Sequence, residues 1–417
     1  MSRHGDADSP RLPPLRVLHV VPSFYPAHGY GGPVSALYEL CLAQVAAGLD
    51  VRVLTSAASG PGASSRLTEL SGRWVTQFGV KTLYAPVRFG EDLAPSLLWH
   101  VANQLRSTDL LHVSGLWSPT SLLGIGLGRL LGKPTIVSPH GALMPWALDS
   151  GRGRTRKLQV LHALRPLLRR LAGWHVSSAA EAQGLAELVA HGHLPSQVPI
   201  CQVEHGVRPS ALSVTDPSPS SPPEKTGPAR ILVLGRVHPV KNLELALSSL
   251  AALRKDRPEV TLQIAGPATD RDYLAKLQAL ADSLGLKDAV QWLGLVGPDE
   301  KARLLSQATV LWLCSHMESF GVVVVEALAS GTPVVAVTAT PWAELPQQAV
   351  GHHVAPSPDA IAAATLRLLE QSPTDREQQS LRCRRFVAER YTWPVLEARL
   401  RAFYRLALVS DSRTSTS

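Results

Sequence analysis

Twice along the chain, short runs of apolar residues alternate with longer stretches whose Leu and Ala recur at helical spacing, and a Ser- and Pro-rich segment separates the two series. The runs of the first series are Arg16–Val21, Val51–Thr55, Lys81–Tyr84, Leu110–Val113, Thr135–Val137 and Trp174–Val176. Those of the second are Ile231–Leu234, Val260–Ile264, Val290–Leu293, Thr309–Leu313 and Pro333–Val337. Runs this short read as strands, and stretches such as Val34–Gly48 and Thr120–Leu131 supply the long crossovers that parallel strands require. The alternation predicts an α/β chain of parallel sheets covered by helices, and its restart predicts a second domain of the same kind. A length of 417 residues agrees, because a single core rarely grows beyond about 250–300 residues.

Composition removes several classes. A hydrophobic content of 45% excludes a wholly disordered chain. Four cysteines, Cys41, Cys201, Cys314 and Cys383, are too few and too scattered for a disulfide scaffold, and no short-spaced Cys and His cluster points to structural zinc. The formal charge of +8 favours anionic partners, whether nucleic acid, anionic lipid or a phosphorylated metabolite. The opening MSRHGDADSPRLPPLR has no apolar core of a secretory signal, so a cytoplasmic location is expected. The most apolar stretch, SLLGIGLGRLLG, is broken by Arg129 and followed by Lys133 and Pro134, short of the roughly 20 apolar residues that span a bilayer.

In an open α/β sheet, ligands meet the loops and helix starts beyond the carboxyl ends of the strands, so the chemistry is sought there. After the first strand the chain reads His28, Gly29, Tyr30, Gly31, Gly32, Pro33, with Pro33 opening a helix. Such a turn either brings helix N–H groups to a phosphate or simply bends the chain; it matches neither a Walker loop nor GxGxxG. After Thr135–Val137 comes SPHG, whose His140 either acts on a ligand as a donor or acceptor or serves the structure. In GRVHPVKN, Arg236 follows a strand and Lys241 lies near the next helix, a planar guanidinium and a compact ammonium that together suit a diphosphate, unless both simply face solvent. Glu318 and Glu326 have seven residues between them in MESFGVVVVEALASG. If Gly321 opens a helix, Glu318 sits at its mouth and Glu326 just over one turn inside; the β-branched run Val322–Val325 favours a strand instead. A buried Glu326 without a partner would be unfavourable, which argues for a role.

With these residues in view, the chain resembles retaining GT-B glycosyltransferases of glycosyltransferase family 4, the group 1 glycosyl transferases. The resemblance runs through GYGGPVSAL, GLWSP with SPHG, GRVHPVKN and MESFGVVVVEALASGTPVVA and covers most of the chain. It implies two Rossmann-like domains facing each other across a cleft. The expected divisions are a disordered arm at 1–14, an acceptor-side domain at 15–207, a Ser/Pro-rich linker at 208–228, a nucleotide-sugar domain at 229–388, a crossover helix at 389–410 returning to the first domain, and a disordered tail at 411–417. It further implies that Arg236 and Lys241 stabilise the leaving diphosphate, that His140 and Glu318 face the donor sugar in the active cleft, and that Glu326 addresses the ribose. Gly31 and Gly32 would lie by the donor phosphates and acceptor, and Phe320 and Gly321 would lend backbone contacts. No cofactor and no catalytic metal are implied. Two departures stand out: CQVEHGV replaces an apolar run into PNGV, and TPWAELPQQAVGHHV lacks the GGxxE loop of many members.

The implied activity is a hexosyltransferase-like transfer, with retention, from a nucleotide diphosphate sugar to a glycan or lipid-linked saccharide in polysaccharide biosynthesis. A GT-B epimerase or phosphorylase is the alternative, and a basic nucleic-acid-binding module a distant one, with no compact nucleic-acid motif to support it. The segment GRGRTRKLQVLHALRPLLRRLAGWH places Arg152, Arg154, Arg156 and Lys157 among leucines, and also holds Arg165, Arg169 and Arg170. It reads either as an acceptor or membrane face, peripheral at the inner side of an anionic membrane, or as a basic helix packed on its own domain.

Overall fold

The computed structural model describes residues 13–27, 29, 32–60, 66–150, 153–212, 227–268 and 270–414. The strands of the first half are β1 (Arg16–Val21), β2 (Asp50–Ser56), β3 (Trp74–Gln77), β4 (Val80–Ala85), β5 (Leu110–Ser114), β6 (Thr135–Ser138), β7 (Gly173–Val176) and β8 (Ile200–Gln202). Those of the second are β9 (Arg230–Leu234), β10 (Thr261–Ala265), β11 (Val290–Gly294), β12 (Val310–Leu313), β13 (Val334–Val337) and β14 (Gly351–Val354). They build two sheets, ordered β3-β4-β2-β1-β5-β6-β7-β8 and β11-β10-β9-β12-β13-β14. Neighbouring strands pair in parallel except in the β3–β4 hairpin. This is the two-domain α/β architecture that the alternation predicts.

Each expected run is a strand, to within one residue at either end. The three strands the pattern did not reveal are short: Trp74–Gln77 has no buried residue, Ile200–Gln202 has only three residues, and Gly351–Val354 carries two histidines. All three lie at sheet edges, where one-sided burial removes the apolar signature.

Interior strands are covered on both faces. Leu18 and Val20 of β1 join the core with Leu97, Val101 and Ile125, whereas Val17 and Val21 join Leu37 and Cys41 of the helix Gly32–Ala46 together with Leu396 and Leu400 near the carboxyl end of the chain. β1 lies between β2 and β5, and β9 between β10 and β12, so the chain leaves each of these strands toward both sides of its sheet. Such reversals open a crevice at the strands' carboxyl ends.

The last part of the chain forms two helices, Pro373–Arg390 and Trp393–Thr414, the second running past the expected end at 410. At the break, Val207 N–H donates to the Tyr391 carbonyl at 2.8 Å and Trp393 N–H donates to the Val207 carbonyl at 3.1 Å. The final helix then packs on the first domain, with Leu396 and Leu400 in the core beside Leu37 and Cys41. Most of the expected linker, 213–226, lies outside the described residues, as do 1–12 of the arm and 415–417 of the tail.

That packing contains a buried polar row. His19 Nε2 lies 2.8 Å from Gln44 Oε1, Gln44 Nε2 donates to Tyr404 Oη at 3.0 Å, and Tyr404 Oη lies 2.6 Å from His112 Nδ1. His112 Nε2 lies 2.7 Å from Ser138 Oγ, which lies 2.8 Å from His175 Nδ1, and His175 Nε2 lies 2.9 Å from the Val203 carbonyl. A carbonyl only accepts, so His175 Nε2 carries hydrogen. With that ring neutral, Ser138 donates to its Nδ1, His112 Nε2–H donates to Ser138, and Tyr404 donates to His112 Nδ1. Every direction in the row is thereby fixed. Burial pushes His19 and His175 down to about 4 and His112 well below its ordinary value.

Linkage gives this burial a pH signature. The unfolded chain takes up protons near the ordinary histidine value of about 6.5, while folded His19 and His175 resist protonation down to about 4. The unfolded state therefore binds more protons throughout that window, and stability present above pH 6.5 is lost as the pH falls toward 4. Each such group is expected to contribute about 1 kcal/mol per pH unit. Calorimetric unfolding of the full chain should show a transition temperature that is flat from pH 8 to 7 and declines steadily from 6.5 to 4; a flat profile across that lower window would refute the neutral row.

Candidate active site

The second domain supplies a cationic turn. A Cβ on Gly266 would lie 1.9 Å from the Gly235 carbonyl oxygen, so the loops leaving β10 and β9 touch through backbone that tolerates only glycine there. Arg236 follows Gly235 and is half-buried, its guanidinium pulled below its ordinary value by burial against the opposing pull of Glu318. His238 caps the single 3₁₀ turn Pro239–Lys241 by accepting from the Val240 N–H at 3.2 Å. Lys241 Nζ then lies 2.6 Å from Glu318 Oε1, the same oxygen to which Ser315 Oγ donates at 2.7 Å.

Glu318 leads into the segment whose structure the valine run made ambiguous. Gly321 adopts φ +85° and ψ +65°, and Val322–Ala329 is a helix. Val323, Val324 and Val325 are buried, and this packing outweighs their strand preference. Glu326 lies one turn inside and pairs with Lys301 at 2.7 Å. The Phe320 carbonyl accepts from Trp342 Nε1 at 2.6 Å, and the Phe320 ring is buried among Trp342, Tyr391 and His205. The TPW loop thus grips the entrance to the helix, with Trp342 Nε1 close against Gly321.

The first domain answers with the turn after β6. His140 and Gly141 have φ of +52° and +81°, two consecutive left-handed residues. The His140 ring stacks on His205 at 5.7 Å, and burial together with His175 pushes its imidazole down to about 3. A Cβ on Gly141 would meet the Ser319 Cβ at 3.0 Å, so this turn abuts the second domain beside Glu318. Gly32 begins the helix Gly32–Ala46, and a Cβ there would meet nothing within 4 Å, so space alone does not explain it. Gly31 lies outside the described residues. Farther along that helix Glu39 Oε2 lies 2.7 Å from Arg208 Nε at the start of the linker.

Every described residue expected at the catalytic centre or donor site lines one cavity of about 2580 Å³ between the two sheets. Lys301, His205 and Trp342 join them there or directly behind, and the sequence did not single them out for the site. His205 stood in the departure CQVEHGV, and Trp342 in the TPW departure; Lys301 carried no local signal. Among the described residues no three His, Cys, Asp or Glu side chains converge on a metal position. The basic segment lies elsewhere. Arg154 pairs with Asp149 at 3.4 Å, Lys157 Nζ donates to the Ala147 and Ser150 carbonyls at 2.5 and 2.6 Å, and Arg156 is exposed away from the cavity. Arg152 is outside the described residues. An acceptor-site role in contact with the reacting groups therefore does not fit Arg154, Arg156 or Lys157, whose helix Arg154–Leu168 turns Leu161 and Leu168 into the domain core.

Chemically, the cavity offers one arginine and one lysine at a turn, two carboxylates each held by a lysine, and a neutral imidazole opposite. That set suits a ligand with an anionic bridge between hydroxyl-bearing ends.

Known proteins bear on this set. Residues 215–384 match the family model described as glycosyl transferases group 1, and residues 31–199 match a glycosyl transferase 4-like domain. A glycogen synthase of Mycobacterium tuberculosis is 26% identical over 388 residues, 88% of this chain and 89% of that protein. A D-inositol 3-phosphate glycosyltransferase of Streptomyces coelicolor is 40% identical over 111 residues, 25% of this chain and 24% of that protein. Among solved structures, Anabaena Alr3699/HepE in complex with UDP and glucose superposes with a TM-score of 0.69 at 20% identity, covering 93% of this chain and 98% of that one. The sucrose-phosphate synthase of Thermosynechococcus elongatus gives 0.68 at 18% identity, covering 95% and 100%. The fold is GT-B.

His140 provides a direct check on the site's electrostatics. With the imidazole pushed down to about 3, it is neutral throughout the neutral pH range. Carbon NMR of histidine labelled at Cε1, with the His140 resonance assigned through His140→Gln, should show no titration between pH 8 and 5. A midpoint near 6.5 would show that the ring is solvated and not packed against His205.

Proposed function

We propose that this chain of GT-B fold is a glycosyltransferase that transfers a hexosyl-type group from a nucleotide diphosphate sugar to a glycan or lipid-linked saccharide in polysaccharide biosynthesis, with retention of anomeric configuration. The observation that carries this reading is the convergence of Arg236 and Lys241 on the cavity that Glu318 and Glu326 also line. Departure of the nucleoside diphosphate builds negative charge on the bridging oxygen. Preorganised cations beside that oxygen stabilise the transition state more than the ground state, and this is the expected main contribution of Arg236 and Lys241. Glu318, fixed by Lys241 and Ser315, addresses the donor sugar hydroxyls. Glu326, deeper and fixed by Lys301, addresses the ribose. Neutral His140 donates or accepts at the sugar from the opposite domain. The acceptor hydroxyl approaches on the face the phosphate leaves, and the departing phosphate oxygen takes its proton. The Anabaena protein's complexes with UDP, glucose and UDP-glucose support beginning with uridine donors.

The test is a panel of labelled nucleotide sugars incubated with membrane lipid extract. A new glycoside is the expected product. An altered sugar on the same nucleotide would indicate epimerisation, and a requirement for inorganic phosphate would indicate phosphorolysis. Lys241→Ala should reduce turnover at subsaturating donor by about 10²–10³-fold, on the scale of removing one transition-state donor, and Glu326→Ala should reduce it by weakening donor binding, each with the fold intact by circular dichroism. Wild-type turnover in both would remove these assignments.

We also propose attachment to the inner face of an anionic membrane. The helix Arg154–Leu168 buries Leu161 and Leu168 and leaves Arg156 and, just beyond its end, Arg169 and Arg170 exposed. Leu130, 77% exposed, ends the helix Pro119–Leu130 that packs against Arg154–Leu168 and offers an apolar side chain to solvent. No helix among the described residues is long and apolar enough to cross a membrane. At roughly 1 kcal/mol per basic residue near an anionic surface, neutralising Arg156, Arg169 and Arg170 together to Gln should weaken binding to phosphatidylserine vesicles by about 100-fold at low salt. Wild-type protein that fails to sediment with such vesicles at low salt would overturn this attachment.

A further inference from the structure

Glu181 stands behind the first-domain half of the site and has no part in the chemistry described so far. It is the fourth residue of the sequence Ser178-Ala179-Ala180-Glu181 that opens the helix Ala179–Ala190, the spacing of a capping box. Half of that box is present: Ser178 Oγ accepts from the Glu181 N–H at 3.1 Å. The reciprocal half is not. The Glu181 carboxylate reaches past the capping residue to the Ser177 N–H at 2.8 Å and the Ser177 hydroxyl at 2.9 Å, and its other oxygen accepts from the Gly141 N–H at 2.5 Å. The side chain is buried and these three donors are its partners, with no cation among them.

A buried carboxylate is unfavourable unless it is well satisfied, and a helix cap needs no such burial. The residue it holds is Gly141, the second of two successive left-handed positions, with His140 the first. A non-glycine residue in that region is strained by about 1–2 kcal/mol, so His140 keeps this conformation only where its surroundings impose it. Gly141 faces Ser319 across the cleft, and the Ser177 hydroxyl lies 3.4 Å from the Ser319 carbonyl. The carboxylate therefore sits where the His140 turn, the helix start and the loop of Glu318 meet.

We propose that Glu181 is a positioning residue for the transfer reaction: through the Gly141 N–H it locks the His140–Gly141 turn in the conformation that presents His140 to the donor sugar. Burial raises the Glu181 carboxyl while the three donors oppose that rise, consistent with an acceptor held in place by its hydrogen bonds. The role rests on the glycosyl-transfer reading for its kinetic consequence, but not for its structural one. It also explains why a glutamate is used: aspartate is one methylene shorter, and glutamine turns an N–H₂ donor toward groups that are themselves donors.

The test uses the full chain with Glu181→Gln and, as a milder variant, Ser177→Ala, which leaves the Gly141 hydrogen bond in place. Three quantities are measured: hydrogen exchange of peptides spanning 139–144, affinity for the nucleoside diphosphate of whichever donor the panel identifies, with UDP as the first probe, and kcat and KM for transfer. Glu181→Gln should accelerate exchange in 139–144 at least tenfold while β6 and β7 stay protected, leave UDP affinity within about twofold because the diphosphate turn belongs to the other domain, and lower kcat by about 10–100-fold with little change in donor KM. Ser177→Ala should fall between wild type and that variant. Unchanged exchange at 139–144, or unchanged kcat, overturns the proposal. So does loss of protection across the whole first domain with a parallel fall in UDP affinity, which would make Glu181 a general stabiliser. If wild-type protein transfers sugar from no donor, the reading of the activity fails, and the exchange data still decide whether Glu181 holds the turn.

Discussion

The chain passes between the domains at two places that lie side by side, and the cleft depends on how closely they approach. Gly206 marks the approach: a Cβ there would lie 2.9 Å from Leu396 Cδ1, 3.0 Å from the Tyr391 carbonyl oxygen and 3.1 Å from the Trp393 nitrogen. The two crossings are joined by the pair of backbone hydrogen bonds between Val207 and the residues on either side of Thr392. Glu344 steadies the second crossing from the side, paired with Arg390 at 2.9 Å and accepting from the Tyr391 hydroxyl at 2.5 Å. These contacts tie the two crossings together and fix how closely the domains approach there.

The second-domain side of the cavity combines two lysine–glutamate pairs with one arginine. Lys241 and Lys301 each hold a glutamate, so those pairs are internally balanced. Arg236, half-buried beside them, forms no ion pair among the described residues, and burial already weighs against its charge. An anion placed beside a half-buried guanidinium offsets that desolvation and can accept two hydrogen bonds from it. Lys241 is already engaged by Glu318, so an anion arriving at this turn would share that ammonium with the carboxylate.

How legible this was in the sequence depended on the physical signal each part left. Strands covered on both faces are continuous apolar runs, and their positions follow directly; Trp74–Gln77, Ile200–Gln202 and Gly351–Val354 are edge strands that bury too little to announce themselves. Arg236, Lys241, Glu318 and Glu326 stood out because charged residues beside apolar strands demand a reason. The helix after Gly321 was ambiguous since four β-branched residues in a row state a local preference that only tertiary burial overturns. Lys301 was invisible because one lysine on an amphipathic helix, Pro298–Gln307, resembles any other; only the fold brings it to Glu326. Arg154 and Lys157 have local partners, Asp149 and the Ala147 and Ser150 carbonyls, a use that a count of basic residues cannot distinguish from ligand binding.

The buried row from His19 to Val203 joins these themes. Its members come from β1, β5, β6 and β7, from the helix Gly32–Ala46 and, through Tyr404, from the last helix of the chain. Ser138 stands two residues before His140, and Val203 two residues before His205, so the row ends directly beneath the stacked pair that faces the cavity. Because a carbonyl fixes one end, every hydrogen in it has one direction, and a proton added to His112 or His175 would set two donors against each other. A fully satisfied polar network of this kind specifies one arrangement of the elements that supply it. Tyr404 fits only where its hydroxyl both receives from Gln44 and donates to His112, and that single fit aligns the returning helix, the joint that precedes it and the histidines of the site.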